Sequence, residues 1–144
     1  MKIVIVDDEP KIRNGLSKLL SSRPGFEVIG VFENAVEALE QLSVSYADVI
    51  ITDIKMPEIN GLDLINRIRE KDQNTKIIIL SGFSDFSFAQ RAIELGVTRY
   101  LTKPTNAREL IGILEEIEKN IQKPQSEEKQ EKKVTNLFVQ KAMD

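Results

Sequence analysis

Short apolar runs alternate along the chain with longer segments in which apolar residues recur at helical spacing. Three of the runs, at residues 3–6, 49–51 and 77–80, are continuously apolar and rich in β-branched side chains. Such runs are typical of strands that are buried on both faces of a parallel sheet. Together with two weaker runs they predict five strands, at residues 2–6, 26–31, 48–52, 76–80 and 98–101.

Five helical segments separate and follow these strands. Each has apolar residues three and four positions apart, as a helix with one buried face requires. Pro10 favours the first turn of the first helix, and Gly96 can end the fourth helix in the left-handed conformation. The alternation of strands and helices predicts an α/β fold, with a doubly wound parallel sheet whose strands are joined by right-handed crossovers.

The end of the chain differs in composition. Residues 123–133 contain no apolar side chain, so they cannot bury enough surface to offset the entropy lost on ordering. Apolar residues, among them Leu137 and Phe138, return at 134–144. We expect a folded domain over residues 1–122, a charged linker over 123–133, and the start of a truncated downstream segment over 134–144.

Two absences in the composition narrow the chemistry. The 144 residues include no cysteine and no histidine. These absences exclude disulfides, zinc-thiolate sites, Ser-His-Asp catalysis and histidine-ligated metals. The net charge of −3 argues against a broad nucleic-acid-binding surface. No apolar stretch is long enough to span a membrane and the first residues do not resemble a signal peptide, so we expect a cytoplasmic protein.

Polar residues follow four of the five predicted strands. In an open α/β sheet, ligands bind beyond the carboxyl ends of the strands, which lie along one edge. The sequence therefore predicts that three carboxylates, a hydroxyl and a lysine share that edge. They are Asp7 and Asp8 after the first strand, Asp53 after the third, Ser81 after the fourth and Lys103 after the fifth.

Each of these residues also has an ordinary structural interpretation. Asp8 could cap the first helix, Asp53 could belong to a turn, and Ser81 could cap a helix or loop. Lys103 could be a solvated surface lysine, and Tyr100 could be a core residue. Their joint position favours a site instead, because independent capping does not explain why they fall at the ends of consecutive strands.

Converging carboxylates restrict the chemistry further. Asp7, Asp8 and Asp53 would repel one another unless a cation lay between them, and Mg²⁺ prefers such oxygen ligands. A carboxylate can attack phosphorus and form an aspartyl phosphate. A metal, a lysine and a hydroxyl can position and neutralise a transferred phosphoryl group. The residues are therefore suited to phosphoryl transfer.

In order and spacing, residues 1–122 resemble the receiver domain of bacterial two-component response regulators, which is CheY-like. The resemblance implies a flavodoxin-like sheet of strand order 2-1-3-4-5 with five helices. It rests on Asp7-Asp8, on Asp53 within Ile51-Thr52-Asp53-Ile54-Lys55-Met56-Pro57, and on Gly61, Ser81-Gly82, Tyr100 and Lys103-Pro104.

The resemblance implies a role for each site residue. Asp53 is expected to accept a phosphoryl group from a sensor histidine kinase, and Lys103 to bind its oxygens. Ser81 and Tyr100 are expected to move in response. The Lys103-Pro104 bond is expected to be cis. The expected Mg²⁺ ligands are Asp7, Asp8, Asp53 and the backbone carbonyl of Lys55.

The resemblance also implies partners. The fourth helix, fifth strand and fifth helix are expected to change on phosphorylation and to mediate a possible homodimer. The run from Ser81 to Phe86 resembles receivers fused to AraC-type helix-turn-helix domains, so DNA would be bound only through an output domain outside these residues. Phe83, Phe86 and Phe88 form an aromatic cluster at the start of the fourth helix. We hypothesise that Phe83 and Lys55 flank the phosphoryl group and limit attack by water.

Three other functions remain open from the residues alone. A flavodoxin-like nucleotide or flavin binder needs a small-residue phosphate loop after the first strand, where this chain has acidic residues. A haloacid-dehalogenase-like phosphatase expects a second aspartate where the chain has Lys55. A receiver-like module used only for protein interaction is not excluded.

Overall fold

Ten regular elements alternate strictly between strand and helix in the computed structural model, which describes residues 1–82 and 86–122. The strands are β1 (Lys2–Val6), β2 (Glu27–Phe32), β3 (Val49–Thr52), β4 (Lys76–Ser81) and β5 (Arg99–Thr102). The helices are α1 (Pro10–Ser21), α2 (Ala35–Leu42), α3 (Gly61–Lys71), α4 (Phe86–Glu94) and α5 (Ala107–Gln122).

All strand pairs are parallel, in the order β2-β1-β3-β4-β5. The predicted flavodoxin-like order is confirmed. The first strand was predicted with its observed bounds, whereas β2 begins and ends one residue later than predicted. The delay has a local cause: a turn with Gly25 at φ 86° is closed by the Phe26 N–H, which donates to the Arg23 carbonyl at 3.2 Å. Phe26 therefore belongs to the turn.

The carboxyl edge of the sheet reaches further than the apolar runs indicate. Ser81 pairs with Thr102, so β4 and β5 each extend one residue beyond their predicted ends. Backbone hydrogen bonds do not depend on side-chain polarity, and polar residues can therefore continue a strand. This extension carries the ladder to Ser81, which is a predicted site residue, and to Thr102, which directly precedes Lys103.

The three strands predicted to be buried on both faces are buried. Only Lys2 and Lys76, at their starts, are exposed. On one face, Val4, Ile50 and Ile77 belong to a cluster of buried residues that includes side chains of α2, α3 and α4. Alternate residues such as Ile3 and Ile78 are also fully buried, and α1 contacts β1 and β2. Burial of both faces explains the continuous β-branched runs.

The ends of two helices show how local sequence sets their bounds. Glu9 is the N-cap of α1, and no side chain makes a capping hydrogen bond there. The interpretation of Asp8 as the helix cap is therefore wrong, while Pro10 takes the first position as predicted. At the end of α4, Gly96 has φ 70°, and the N–H groups of Gly96 and Val97 donate to Ile93 and Ala92. This is a Schellman motif, and it confirms the predicted glycine stop.

By its contacts the chain divides into Met1–Glu109 and a second unit that begins at Leu110. The first unit contains the whole sheet and helices α1 to α4. In the second, the structure describes the helix up to Gln122, with Leu110, Leu114 and Ile117 buried. The predicted linker and downstream segment lie outside the described residues. Within the described ranges, every helix is too short or too polar to cross a membrane.

Candidate functional site

Three residues at the carboxyl edge are positioned directly by the sheet. Asp7, Asp53 and Lys103 each follow the last residue of a strand. The N–H of Asp7 donates to the Phe32 carbonyl at 3.0 Å, and that of Asp53 donates to the Val6 carbonyl at 3.0 Å. These bonds continue the strand ladders for one further residue, so both carboxylates are held by backbone rather than by flexible loops.

Lys103 joins the carboxylates across the edge. Its N–H donates to the Ser81 carbonyl at 2.8 Å, and its Nζ lies 2.9 Å from Oδ2 of Asp7 and 2.9 Å from Oδ2 of Asp53. A third contact, of 3.2 Å, reaches Oε1 of Glu9. The Lys103-Pro104 peptide bond is cis, as the resemblance implies. Residues up to 96 positions apart in sequence thus form one charged cluster.

The loop after β3 closes tightly over Asp53. Oδ1 of Asp53 accepts a hydrogen bond of 2.7 Å from the N–H of Ile54, and the N–H of Gly61 donates to the Ile54 carbonyl at 2.7 Å. A Cβ atom at Gly61 would overlap the backbone carbonyl of Asp53. The loop therefore requires glycine at this position for close approach, and the contact fixes the backbone that presents the Asp53 carboxylate.

Charges in the cluster influence one another. Burial raises the pKa of Asp7 above its ordinary value, and this effect outweighs the hydrogen bonds from Lys103 and from the Glu9 N–H that lower it. Burial alone would lower the pKa of Lys103. Its hydrogen bonds and attraction to Asp7 and Asp53 prevail and raise that pKa above the ordinary value of a lysine. The lysine is therefore held as a cation among the carboxylates.

The carboxylates form a donor set suited to a hard cation. Asp7, Asp8, Glu9 and Asp53 each offer an oxygen, and these oxygens all lie within 4.8 Å of one another. Asp7 and Asp53 are buried, whereas Asp8 and Glu9 are exposed. Oxygen donors of mixed exposure fit Mg²⁺, which keeps several water ligands. The residues present therefore fit the predicted metal.

The remaining predicted residues lie around this cluster. Lys55 is exposed, two residues beyond Asp53 in the same loop. Ser81 is fully buried at the end of β4. Tyr100 is half-buried in β5 and packs against the buried cluster, as does Phe88 of α4. Phe83 and the side chain of Phe86 lie outside what the structure describes.

Sequence reasoning missed two contacts at the site. Glu9 is not among the predicted site residues, yet its carboxylate accepts a hydrogen bond from Lys103. Arg13, one turn into α1, donates from Nη1 to the backbone carbonyl of Asp7 at 2.8 Å. A charged residue near a helix start is usually solvated, so its identity alone does not signal either contact. The spacing from Glu9 to Arg13 does place both on the same side of α1.

Comparison with known proteins agrees with this geometry. The response regulator receiver domain family matches residues 3–115. The chain belongs to this family. The receiver domain from Methanospirillum hungatei JF-1, which is CheY-like, is 25% identical and superposes with a TM-score of 0.77 over 83% of this chain and 94% of that one. The receiver domain of AraT, a response regulator from Geobacillus stearothermophilus, is 35% identical, with a TM-score of 0.73 and coverage of 83% and 94%.

The receiver domain is also similar to transcriptional regulators. It is 38% identical over 117 residues to the transcriptional regulatory protein YesN of Bacillus subtilis. The aligned residues make up 81% of this chain and 32% of YesN. It is 37% identical over 127 residues to the transcriptional regulatory protein HptR of Staphylococcus aureus, covering 88% of this chain and 50% of HptR. The chain thus spans about a third of one relative and half of the other.

Proposed function

We propose that this receiver domain is a phosphorylation-controlled switch and that Asp53 is its phosphoacceptor. One observation carries the proposal: the buried carboxylate of Asp53 shares the ammonium of Lys103 with Asp7, at the edge where the parallel strands end. A carboxylate can act as a nucleophile toward phosphorus, and an adjacent cation stabilises charge on the transferred oxygens. Membership in the receiver family supports the same role.

The proposed reaction transfers a phosphoryl group from a phosphohistidine. An oxygen of Asp53 attacks phosphorus, an O–P bond forms, and the N–P bond breaks. The imidazole nitrogen keeps the electron pair of the broken bond and takes a proton from water. These 144 residues contain no histidine, so the donor lies outside them, and we propose a sensor histidine kinase or a small phosphodonor. The domain catalyses its own phosphorylation and dephosphorylation and turns over no external substrate.

The proposed metal is Mg²⁺, held by Asp7, Asp8, Asp53 and the backbone carbonyl of Lys55. When bound, the ion would neutralise negative charge between the carboxylates and the phosphoryl group. Asp7 supplies an oxygen directly after β1 and Asp8 supplies one from the exposed loop that follows, and Lys103 holds the Asp53 carboxylate in position beside them. The observed donor set supports the roles of Asp7, Asp8 and Asp53, and family resemblance supports that of the Lys55 carbonyl.

The signal would pass from the site to the neighbouring elements. A phosphoryl group adds about −1.5 to −2 charges and strong acceptor oxygens at Asp53. Ser81 lies at the end of the adjacent strand, and we propose that its hydroxyl moves toward these oxygens. Tyr100 lies on β5, and its side chain packs against the buried cluster that includes Ala92 of α4. The proposed response therefore includes α4, β5 and the following helix.

The wider organisation is also part of the proposal. Residues 1–122 act as the receiver, 123–133 as a charged linker, and 134–144 as the start of a downstream segment. The transcriptional relatives support an output domain that binds DNA, and the run from Ser81 to Phe86 supports one of the AraC type. The side chain of Ile93 on α4 is 78% exposed, which supports a homodimer through the predicted surface. Kinase and DNA partners would place the protein in the cytoplasm.

Phosphorylation of the chain tests the function directly. The purified protein is incubated with acetyl phosphate and Mg²⁺, and its intact mass is measured. We expect the intact mass to increase by one phosphoryl group, and we expect Asp53→Asn to abolish this increase. The matched control is Asp63→Asn, which changes an exposed aspartate at the start of α3 and should leave the increase intact. No increase in the wild type, or one that survives Asp53→Asn, would contradict the proposal.

A further inference from the structure

The three carboxylates that hold Lys103 differ sharply in their access to water. An ammonium group has three N–H donors, and the Lys103 ammonium contacts Asp7, Asp53 and Glu9. The side chains of Asp7 and Asp53 are 3% and 7% exposed, whereas that of Glu9 is 58% exposed. Glu9 also makes the longest of the three contacts, at 3.2 Å. Its carboxylate is therefore the one that can return to water at the smallest cost.

Phosphorylation would set a new anion beside the same ammonium. The phosphoryl oxygens on Asp53 need a cationic partner, and Lys103 already contacts that carboxylate at 2.9 Å. Asp7 cannot leave, because its carboxylate is buried and also accepts a 2.8 Å hydrogen bond from the Glu9 N–H. The Glu9 side chain has no such constraint, and its negative charge would lie close to that of the phosphoryl group.

We infer that Glu9 is a positioning residue that competes with the incoming phosphoryl group for Lys103. In the unphosphorylated domain it takes the third donor of the ammonium, and on phosphorylation it swings into solvent. Glu9 thereby sets how readily the domain accepts a phosphoryl group. This inference rests on the proposed function of Asp53 and extends it to a residue outside the predicted set of site residues.

Two substitutions separate the contact from the charge. Glu9→Gln removes the charge, and Glu9→Asp keeps the charge but shortens the side chain so that it no longer reaches Nζ. Glu27→Gln is the matched control, since it removes an exposed carboxylate at the opposite end of the sheet. The rate constant for phosphorylation by acetyl phosphate is measured at saturating Mg²⁺. For Glu9→Gln we expect an increase of about two- to fivefold, the size of one partly exposed ion pair.

The Glu9→Asp variant decides the mechanism. If the contact with Lys103 matters, its rate constant lies closer to that of Glu9→Gln than to that of the wild type. A value closer to the wild type would overturn the inference, because charge alone would then explain the effect. Failure of the wild type to become phosphorylated would instead refute the role of Asp53. A phosphorylated wild type with no gain in Glu9→Gln would refute only the role of Glu9.

Two measurements do not depend on phosphorylation. In the absence of Mg²⁺, the ε-methylene NMR resonance of Lys103 should shift in Glu9→Gln and Glu9→Asp, and should stay unchanged in Glu27→Gln. An unshifted resonance in both Glu9 variants would show that the contact is absent and would overturn the inference. Mg²⁺ affinity is then measured without a phosphodonor. Glu9→Asp should bind Mg²⁺ as the wild type does, and a more than tenfold loss would assign Glu9 to the metal instead.

Discussion

Arg69 of α3 donates a hydrogen bond of 2.8 Å from Nε to the backbone carbonyl of Leu95, just beyond the end of α4. The same guanidinium donates from Nη2 to Gly96 at 3.1 Å and from Nη1 to Asp72, beyond the end of α3, at 3.1 Å. Arg69 is only 8% exposed. One buried cation thus satisfies carbonyls at the ends of two helices and holds the carboxyl end of α4 to α3.

Replacing this arginine should destabilise the domain. Arg69→Met keeps much of the apolar stem but leaves the Leu95 carbonyl without its charged donor, so we expect a loss of about 2–3 kcal/mol in the free energy of unfolding. Arg69→Lys should recover little of it, because an ammonium cannot reproduce the planar fork. Urea unfolding followed by circular dichroism measures both variants.

Exposed Arg67, two residues earlier on α3, supplies the control. Arg67→Met should change stability by less than about 0.5 kcal/mol, as surface substitutions usually do. Hydrogen exchange adds a local readout: the amides of Gly96 and Val97 should lose protection in Arg69→Met more than those of β1. Equal stability of the Arg69→Met and Arg67→Met variants would show that the guanidinium does not hold α4.

Gly61 should be intolerant of any side chain. A Cβ atom there would overlap the backbone carbonyl of Asp53, so Gly61→Ala must move the loop that carries this residue. We expect Gly61→Ala to lower the free energy of unfolding by about 2 kcal/mol or more, in the range of an overpacked site, and to slow phosphorylation by acetyl phosphate. Thermal unfolding and the mass assay measure the two effects.

Gly15, in contrast to Gly61, has room for a side chain. It lies within α1, and a Cβ atom there would meet nothing within 4 Å. Gly15→Ala should therefore stabilise the domain by about 0.5–1 kcal/mol, the usual gain for alanine in a helix interior. A Gly61→Ala variant as stable as the wild type would contradict the close approach at Asp53, and a destabilised Gly15→Ala would contradict the open space around Gly15.

The fold can be predicted from the sequence because its central strands are buried on both faces, and such strands appear as continuous apolar runs. Runs such as residues 77–80 are apolar at every position only because both faces of the strand are covered, and this observation is enough to predict a parallel sheet. Strand ends are harder to predict. Ser81 and Thr102 are polar and yet continue the ladder, while Phe26 is apolar and belongs to a turn. Hydrogen bonding, rather than side-chain polarity, decides these positions.

The candidate site likewise contains residues that the sequence predicts and residues that it does not. Asp7, Asp53 and Lys103 directly follow strands, so strand order alone brings them to one edge. Glu9 is the N-cap of α1 and Arg13 lies within that helix, and a charged residue at either position normally faces water. Whether such a side chain turns inward depends on the carbonyl or ammonium that tertiary packing places beside it. No periodicity in a single sequence carries that information.

Asp72 should give the domain a stability that depends on acid pH. The Thr75 hydroxyl donates to Oδ2 of Asp72 at 2.6 Å, and the N–H groups of Asn74 and Thr75 donate to Oδ1. These bonds and the charge of Arg69 lower the pKa of Asp72 below its ordinary value of 3.8, against a smaller opposing effect of burial. The folded state thus favours the ionised carboxylate. Its contribution is present above about pH 4 and is lost as the pH falls through the lowered pKa.

Asp72→Asn tests this contribution, since the amide nitrogen cannot accept the Thr75 hydroxyl. At pH 7 we expect the variant to be less stable by about 0.5–1.5 kcal/mol, the net value of one typical intramolecular hydrogen bond. The difference from the wild type should shrink below pH 4. Exposed Glu70→Gln is the control and should show no such convergence. A stability difference that is constant from pH 7 to pH 3 would contradict the assignment.

Removing the Lys103 cation should make the fold depend more on Mg²⁺. Lys103→Met leaves the buried carboxylates of Asp7 and Asp53 without their shared ammonium, so we expect the variant to be destabilised when metal is chelated. With no ammonium in the cluster, the four carboxylates attract a divalent cation more strongly. The rise in unfolding temperature on adding Mg²⁺ should therefore be larger in the variant than in the wild type.

Differential scanning calorimetry with and without Mg²⁺ measures that difference. Lys76→Met is the matched control, because it removes an exposed lysine at the opposite end of the sheet and should respond to Mg²⁺ as the wild type does. If the ammonium and the metal compete for the same oxygens, Lys103→Met should gain affinity for Mg²⁺ and Lys76→Met should not. An Mg²⁺ response in Lys103→Met equal to or smaller than that of the wild type would mean that the lysine does not compete with the ion.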